Sequence, residues 1–220
     1  MLSVRLSRRL LRHHLPIAAI CLASGFLLYV TRPYSDVITR LSFASAYPAL
    51  ALLCLALTIG PWKQLMGERL PVSFDLRRDI GIWAGITGLF HTGFGQFVHL
   101  RGRPWLYYIY EDWQAKGHAQ PFRTDLFGFN NDTGLIAALI LLLLLATSND
   151  ASLRKLGTPG WKKLQRWNYA CFALAAAHTF GYQSGGGRGA FLWASIAAVA
   201  LTLALQAAGW RQRRAVGTRI

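Results

Sequence analysis

Residues 79–100 read DIGIWAGITGLFHTGFGQFVHL, and residues 166–182 read RWNYACFALAAAHTFGY. Each stretch is long and apolar enough to approach a membrane span, which needs about 20 mostly apolar residues. Each also holds one histidine well inside it, His91 and His178. No other ionisable side chain lies well inside a hydrophobic segment. An ionisable residue at that depth is costly and marks a site rather than an anchor.

Working outward, four more segments qualify or nearly qualify as spans: Leu15–Val30, Phe43–Trp62, Thr133–Thr147 and Ala190–Trp210. With Asp79–Leu100 and Arg166–Tyr182 they predict six. The composition agrees, since 53% of the 220 residues are hydrophobic. The net charge of +15 would suit nucleic acid, but the charges cluster between apolar runs, which points to topology instead. No nucleic-acid partner is expected. Cys21, Cys54 and Cys171 each fall in an apolar run without metal-type spacing, and read as small buried hydrophobes.

Lys and Arg set the orientation. Arg5, Arg8, Arg9 and Arg12 precede the first span. Lys63, Arg69, Arg77 and Arg78 precede the third, and Arg154, Lys155, Lys162, Lys163 and Arg166 precede the fifth. Arg211, Arg213, Arg214 and Arg219 follow the last. These regions hold seventeen of the 24 basic residues. The expected fold is therefore an all-α integral membrane protein, a bundle of six transmembrane helices with both termini cytoplasmic. Residues 1–14 form a basic tail, 15–210 the membrane domain and 211–220 a second basic tail. The start, LSRRLLRHHLPIAAICLASGF, mimics a targeting signal but shows no small-residue cleavage site, and reads as a retained first helix. The outer loop 101–132 carries Trp105, Tyr107, Tyr108, Tyr110 and Trp113. These suggest an interfacial aromatic belt or, more sharply, a lid or a dock for a partner.

Both histidines lie twelve residues into parallel helices, about 18 Å from the inner edge at about 1.5 Å per residue. Two imidazoles at one depth suit axial ligation of a heme iron. Gly88 and Gly95 share a helical face with Ala84 and His91; Ala175 and Gly181 share one with Cys171 and His178. Such small residues suit a flat macrocycle, although close helix packing also favours them. Zinc fits less well, since it takes four ligands. Bis-imidazole iron has no open position and suits electron transfer. His99 could touch a heme propionate or a second heme, but reads first as an interfacial polar residue. His118, His13 and His14 read as solvated.

Two stretches resemble the ferric reductase-like transmembrane domain family: RRDIGIWAGITGLFH at 77–91, and LLLLLATSNDASLRKLGTPGWKKLQRWNYACFALAAAH at 141–178. Thr147, Ser148, Leu156, Gly157, Trp161, Lys162 and Leu164 carry the likeness. Within that family the match is to the heme-binding membrane subunits of the bacterial periplasmic methionine-sulfoxide reductase system. The resemblance implies that His91 and His178 ligate heme b in the inner membrane. It implies electrons from reduced flavin, made by a separate cytoplasmic reductase, passing to a periplasmic molybdopterin enzyme that repairs methionine. The family has a second histidine where this chain has Gln165, so one heme is expected. Arg77, Arg78, Gln165 and Trp167 could then seat a flavin, a quinone headgroup or a weakly ligated heme. Two other readings stay open: a stand-alone ferric reductase or quinone-coupled cytochrome b, and a non-redox helical scaffold.

Overall fold

A computed structural model describes residues 2–67, 73–184 and 189–217. Arg69, Arg188 and Arg219, and the side chain of Arg5, lie outside what is described. Among the described residues eight α-helices follow one another: α1 (Leu2–Arg9), α2 (Leu15–Thr31), α3 (Val37–Met66), α4 (Phe74–Gly95), α5 (Leu126–Ala146), α6 (Asp150–Gln165), α7 (Trp167–Gln183) and α8 (Gly189–Gly217). A π turn, Leu10–His14, joins α1 to α2. Among the described residues there is no strand, only one isolated antiparallel bridge between Ile109 and Phe122.

Side-chain caps fix several helix starts. Asp36 accepts from the Thr39 N–H (2.7 Å), Ser73 from Leu76 (3.0 Å), Asp125 from Gly128 (2.8 Å) and Asn149 from Ser152 (2.8 Å). Each satisfies one of the amide donors that a helix N-terminus leaves over. Pro61 lies inside α3 and has no N–H for the carbonyl of Leu57. Gln206 of α8 supplies the donor instead, its Nε2 bonding that oxygen at 2.7 Å. A proline gap is thus closed by a neighbouring helix, as buried polar backbone requires.

The core lies among α3, α4, α5 and α7, with Leu53, Leu57, Ala84, Ala137 and Cys171 in its centre. α3 packs along α4 and α8, α5 along α7, and α4 along α5. The outward faces are as apolar as the inward ones. Ile20, Leu22 and Phe26 on α2, Leu139 and Leu142 on α5, and Trp193 and Leu201 on α8 are exposed. A helix hydrophobic all round belongs in lipid or in a large core. Among the described residues, four helices are long and apolar enough to cross a membrane: Leu6–Thr31, Val37–Met66, Leu126–Ala146 and Gly189–Ala215. The two histidine-bearing helices are not among them, because α4 opens with Asp75, Arg77, Arg78 and Asp79, and α7 has only 17 residues.

Several expectations need correction. α4 begins at Phe74 and ends at Gly95, not at Leu100, so His99 is not on that helix. It caps a short 3-10 turn, Leu100–Gly102. The segment 150–165, read as a plain basic loop, forms α6, broken at Gly157, whose φ of 64° lies in the left-handed region open to glycine. The loop 96–125 is folded: Tyr107 is 1% exposed, and its hydroxyl donates to the Gly95 carbonyl while accepting from the His99 N–H. Burial pushes the Tyr107 and Tyr108 hydroxyls up from their ordinary range. His118 is not free in solvent but stacked on Tyr110 at 3.7 Å. His13 and His14 are not free in solvent either; both are partly exposed and reach Asp79, which is fully buried.

Candidate functional site

α4 and α7 bring His91 and His178 to one place, with ring centroids 6.1 Å apart and planes at 72°. Two imidazoles on opposite sides of one metal ion, each bonded at about 2.0 Å, have ring centres about 6 Å apart. Each ring is held from behind by a different helix. His91 Nδ1 lies 2.9 Å from the Ser42 carbonyl of α3, and His178 Nδ1 lies 2.7 Å from the Asn130 carbonyl of α5. A carbonyl can only accept, so the network assigns the proton of each neutral ring to Nδ1. Each Nε2 is then an unprotonated lone pair. Neither ring can donate to the other through it, and neither Nε2 has a partner among the described residues. This is the tautomer a metal-ligating histidine adopts, with its second nitrogen bonded to a carbonyl.

Both rings line one cavity of about 190 Å³, walled by α3, α4, α5 and α7. Gly88, Gly95 and Ala175 line it, as do Ala46, Ala84 and Ala138. Gly181 does not. A Cβ there would fall within 1.9 Å of the Asn130 amide oxygen, so that glycine makes room for α5 instead. Cys171 is also turned away, fully buried with its thiol directed at the Ala137 carbonyl, 3.6 Å away. His99 lines the far end of the same cavity from its turn, its ring parallel to Tyr182 at 6.3 Å.

Gly134 escaped the reading of the sequence. A Cβ on it would lie 2.5 Å from His178 Nδ1 and 2.8 Å from Cε1. The imidazole therefore rests directly on the backbone of α5. The signal was present: Gly134 is the one glycine at the head of a run of large aliphatic residues.

A second cavity, of about 350 Å³, lies toward the basic end of the bundle. It shares Leu53, Ala84 and Leu141 with the first, so the two are separated by single side chains. Arg77, Arg78, Gln165, Lys162, Arg166 and Arg213 line it. Arg78 is tied to Asp150 (2.6 Å), yet its Nε is buried without an acceptor, and so is Gln165 Nε2. No histidine lines this cavity. Trp167 does not line it either; it is exposed, and Trp161 stands there in its place.

A heme fits the donor set of the first cavity. Among the described residues, no group of three or more His, Cys, Asp or Glu side chains is placed to hold a bare metal ion. Two lone pairs at this spacing suit an iron that brings its own four equatorial nitrogens. Part of the chain is similar to a known heme-binding subunit. It is the protein-methionine-sulfoxide reductase heme-binding subunit MsrQ of Deinococcus radiodurans, 32% identical over 131 residues. The match covers 59% of this chain and 56% of the relative, so the chain spans little more than half the length of the protein it resembles. No family model matches the chain.

Proposed function

We propose that the chain is a membrane electron carrier that holds one heme b between His91 and His178. The observation that carries this is the pair of Nε2 lone pairs, on two helices, 6.1 Å apart by ring centre in an apolar cavity. A heme bound there supplies reversible one-electron chemistry, and two imidazoles leave the iron no open position for substrate. The chain's own residues do the rest. Ser42 and Asn130 fix the tautomers, Gly134 lets the His178 ring rest on α5, Gly88 makes room for Leu141, and Ala175 keeps the α7 wall of the cavity small. The apolar walls keep water away.

In this reading all six long hydrophobic segments cross the bacterial inner membrane, with both termini cytoplasmic. α7 is about 26 Å long at 1.5 Å per residue, close to the hydrocarbon thickness of about 30 Å. The basic cavity then faces the cytoplasm. Its cations favour an anionic donor over a neutral one, which points to a reduced, phosphate-bearing flavin from a separate reductase rather than a quinone headgroup. Gln165 in place of an imidazole leaves that cavity without an iron ligand, so one heme is expected. The loop 96–125 faces the periplasm, where the acceptor is a methionine-sulfoxide reductase, by analogy with the relative's name.

The test is vectorial electron transfer. Purified protein in vesicles, given reduced flavin outside, should reduce an acceptor enclosed within. His91→Ala and His178→Ala should each stop the transfer. Equal transfer in wild type and both variants would overturn the reading.

A further inference from the structure

Asp79 lies on α4 near its start and is fully buried. Three side chains from the N-terminal segment converge on it. Arg9, the last residue of α1, pairs with its carboxylate through Nη2 and through Nε at 3.3 Å. His13 Nδ1 lies 2.7 Å from Oδ2, and His14 Nε2 lies 3.3 Å from Oδ1. Successive residues rarely share one helix face; both histidines lie in the π turn, a wider coil of the kind often found at functional sites.

The two rings are not equivalent. Trp83 Nε1–H, on α4, donates to His14 Nδ1 at 3.2 Å. An indole only donates, so His14 Nδ1 is unprotonated and its Nε2 carries the proton toward Asp79. A proton on His14 Nδ1 would cost it the bond to Trp83. His13 has the opposite tautomer. Its Nδ1 donates to the carboxylate, and its Nε2 has no partner among the described residues. The His13 side chain is 20% exposed, so water reaches it.

Other charges lie around the cluster: Arg8 on α1 and Arg12 in the π turn, Asp75 and Arg78 on α4, and Asp150 on α6. Arg78 is paired to Asp150 at 2.6 Å and sits 3.9 Å from Asp75. α2, which also packs on α4, has no charged residue.

We propose that this cluster is a proton-binding site that governs how the N-terminal helix is held on the histidine-bearing helix α4. One proton from water enters at His13 Nε2. The imidazolium so formed keeps its bond to Asp79 and faces that carboxylate as a charged pair. His14 stays neutral on Trp83. The consequence is a grip that tightens on acidification, at the base of the helix that carries His91 about three turns further on. The inference is independent of the heme reading.

Imidazole nitrogen NMR on the full chain, labelled with 15N-histidine and held in detergent, tests it between about pH 8 and pH 5. His13→Gln and His14→Gln each assign a resonance by its loss. His13 should pass from the neutral Nδ1–H form to the doubly protonated form in a single-proton step, while His14 keeps the neutral Nε2–H pattern. His14 in the Nδ1–H form at pH 8, or titrating before His13, would overturn the proposal. A second readout needs neither histidine variant. Amides of residues 6–14, corrected for intrinsic rates, should exchange several-fold more slowly at the acidic end in wild type, and Asp79→Asn should abolish that difference. Protection independent of pH in the wild type would also refute it.

Discussion

At the residue scale the account rests on which nitrogen of each imidazole is free. A backbone carbonyl behind each ring forces Nδ1 to be the donor, and that leaves Nε2 for iron. His91→Ala or His178→Ala should therefore lose most bound heme, while His118→Ala, whose ring stacks on Tyr110 in the loop, should retain it. Heme content per mole of protein checks this. Gly134→Ala is the subtler case. Its new methyl group would sit within 3 Å of two atoms of the His178 ring and crowd the bond to Asn130. Heme content should fall several-fold, while Gly93→Ala, with nothing within 4 Å of its Cβ, should match wild type. The two histidines were legible in the sequence because a lone titratable residue stands out in an apolar run. Gly134 and the two carbonyls were not, because their roles arise from neighbours 44 to 49 residues distant in the chain.

At the element scale, helix existence was legible from apolar runs, while helix ends depended on caps and turns. α5 starts at Leu126, ahead of the expected Thr133, because Asp125 caps it and Arg123 steadies Asp125 at 2.6 Å. The polar residues Asn130, Asn131 and Asp132 hid those roughly two extra turns from a hydropathy reading. Asp125→Ala should destabilise the protein by about 1 kcal/mol, as lost caps do, measured by thermal unfolding in detergent. The Arg123 guanidinium holds the Asp125 carboxyl below the usual carboxylate range, helped by the Gly128 N–H. Its stabilisation is thus fully present above about pH 4, the unfolded carboxylate value, and is lost as pH falls through the lower folded value. The Asp125→Ala difference should shrink in strong acid. His99 shows the opposite failure: helical extrapolation placed it on α4, but Gln96 and the Tyr107 hydroxyl end that helix, and a turn carries His99 back to the cavity.

At the scale of the whole molecule, two cavities share a wall, one histidine-lined and apolar, the other cationic. In the proposed reading that order would carry electrons from a soluble anionic donor at the basic end, through the His91–His178 site, to the loop end. If the basic end docks a flavoprotein, transfer from that partner should slow as salt rises, because exposed charges are screened beyond about 10 Å at 0.1 M. Transfer rates unchanged by salt would count against docking. The charge pattern that suggested this arrangement was visible in sequence; the second cavity was not, since it draws on α3, α4, α5, α6, α7 and α8 together. The most direct measurement is an absorption spectrum of the purified, heme-supplied chain, oxidised and then reduced with dithionite, quantified by pyridine hemochrome. The account predicts the bands of six-coordinate low-spin b-type heme at one per chain, lost when His91 and His178 are both replaced by alanine. A colourless protein, or the same bands in that double variant, would contradict it.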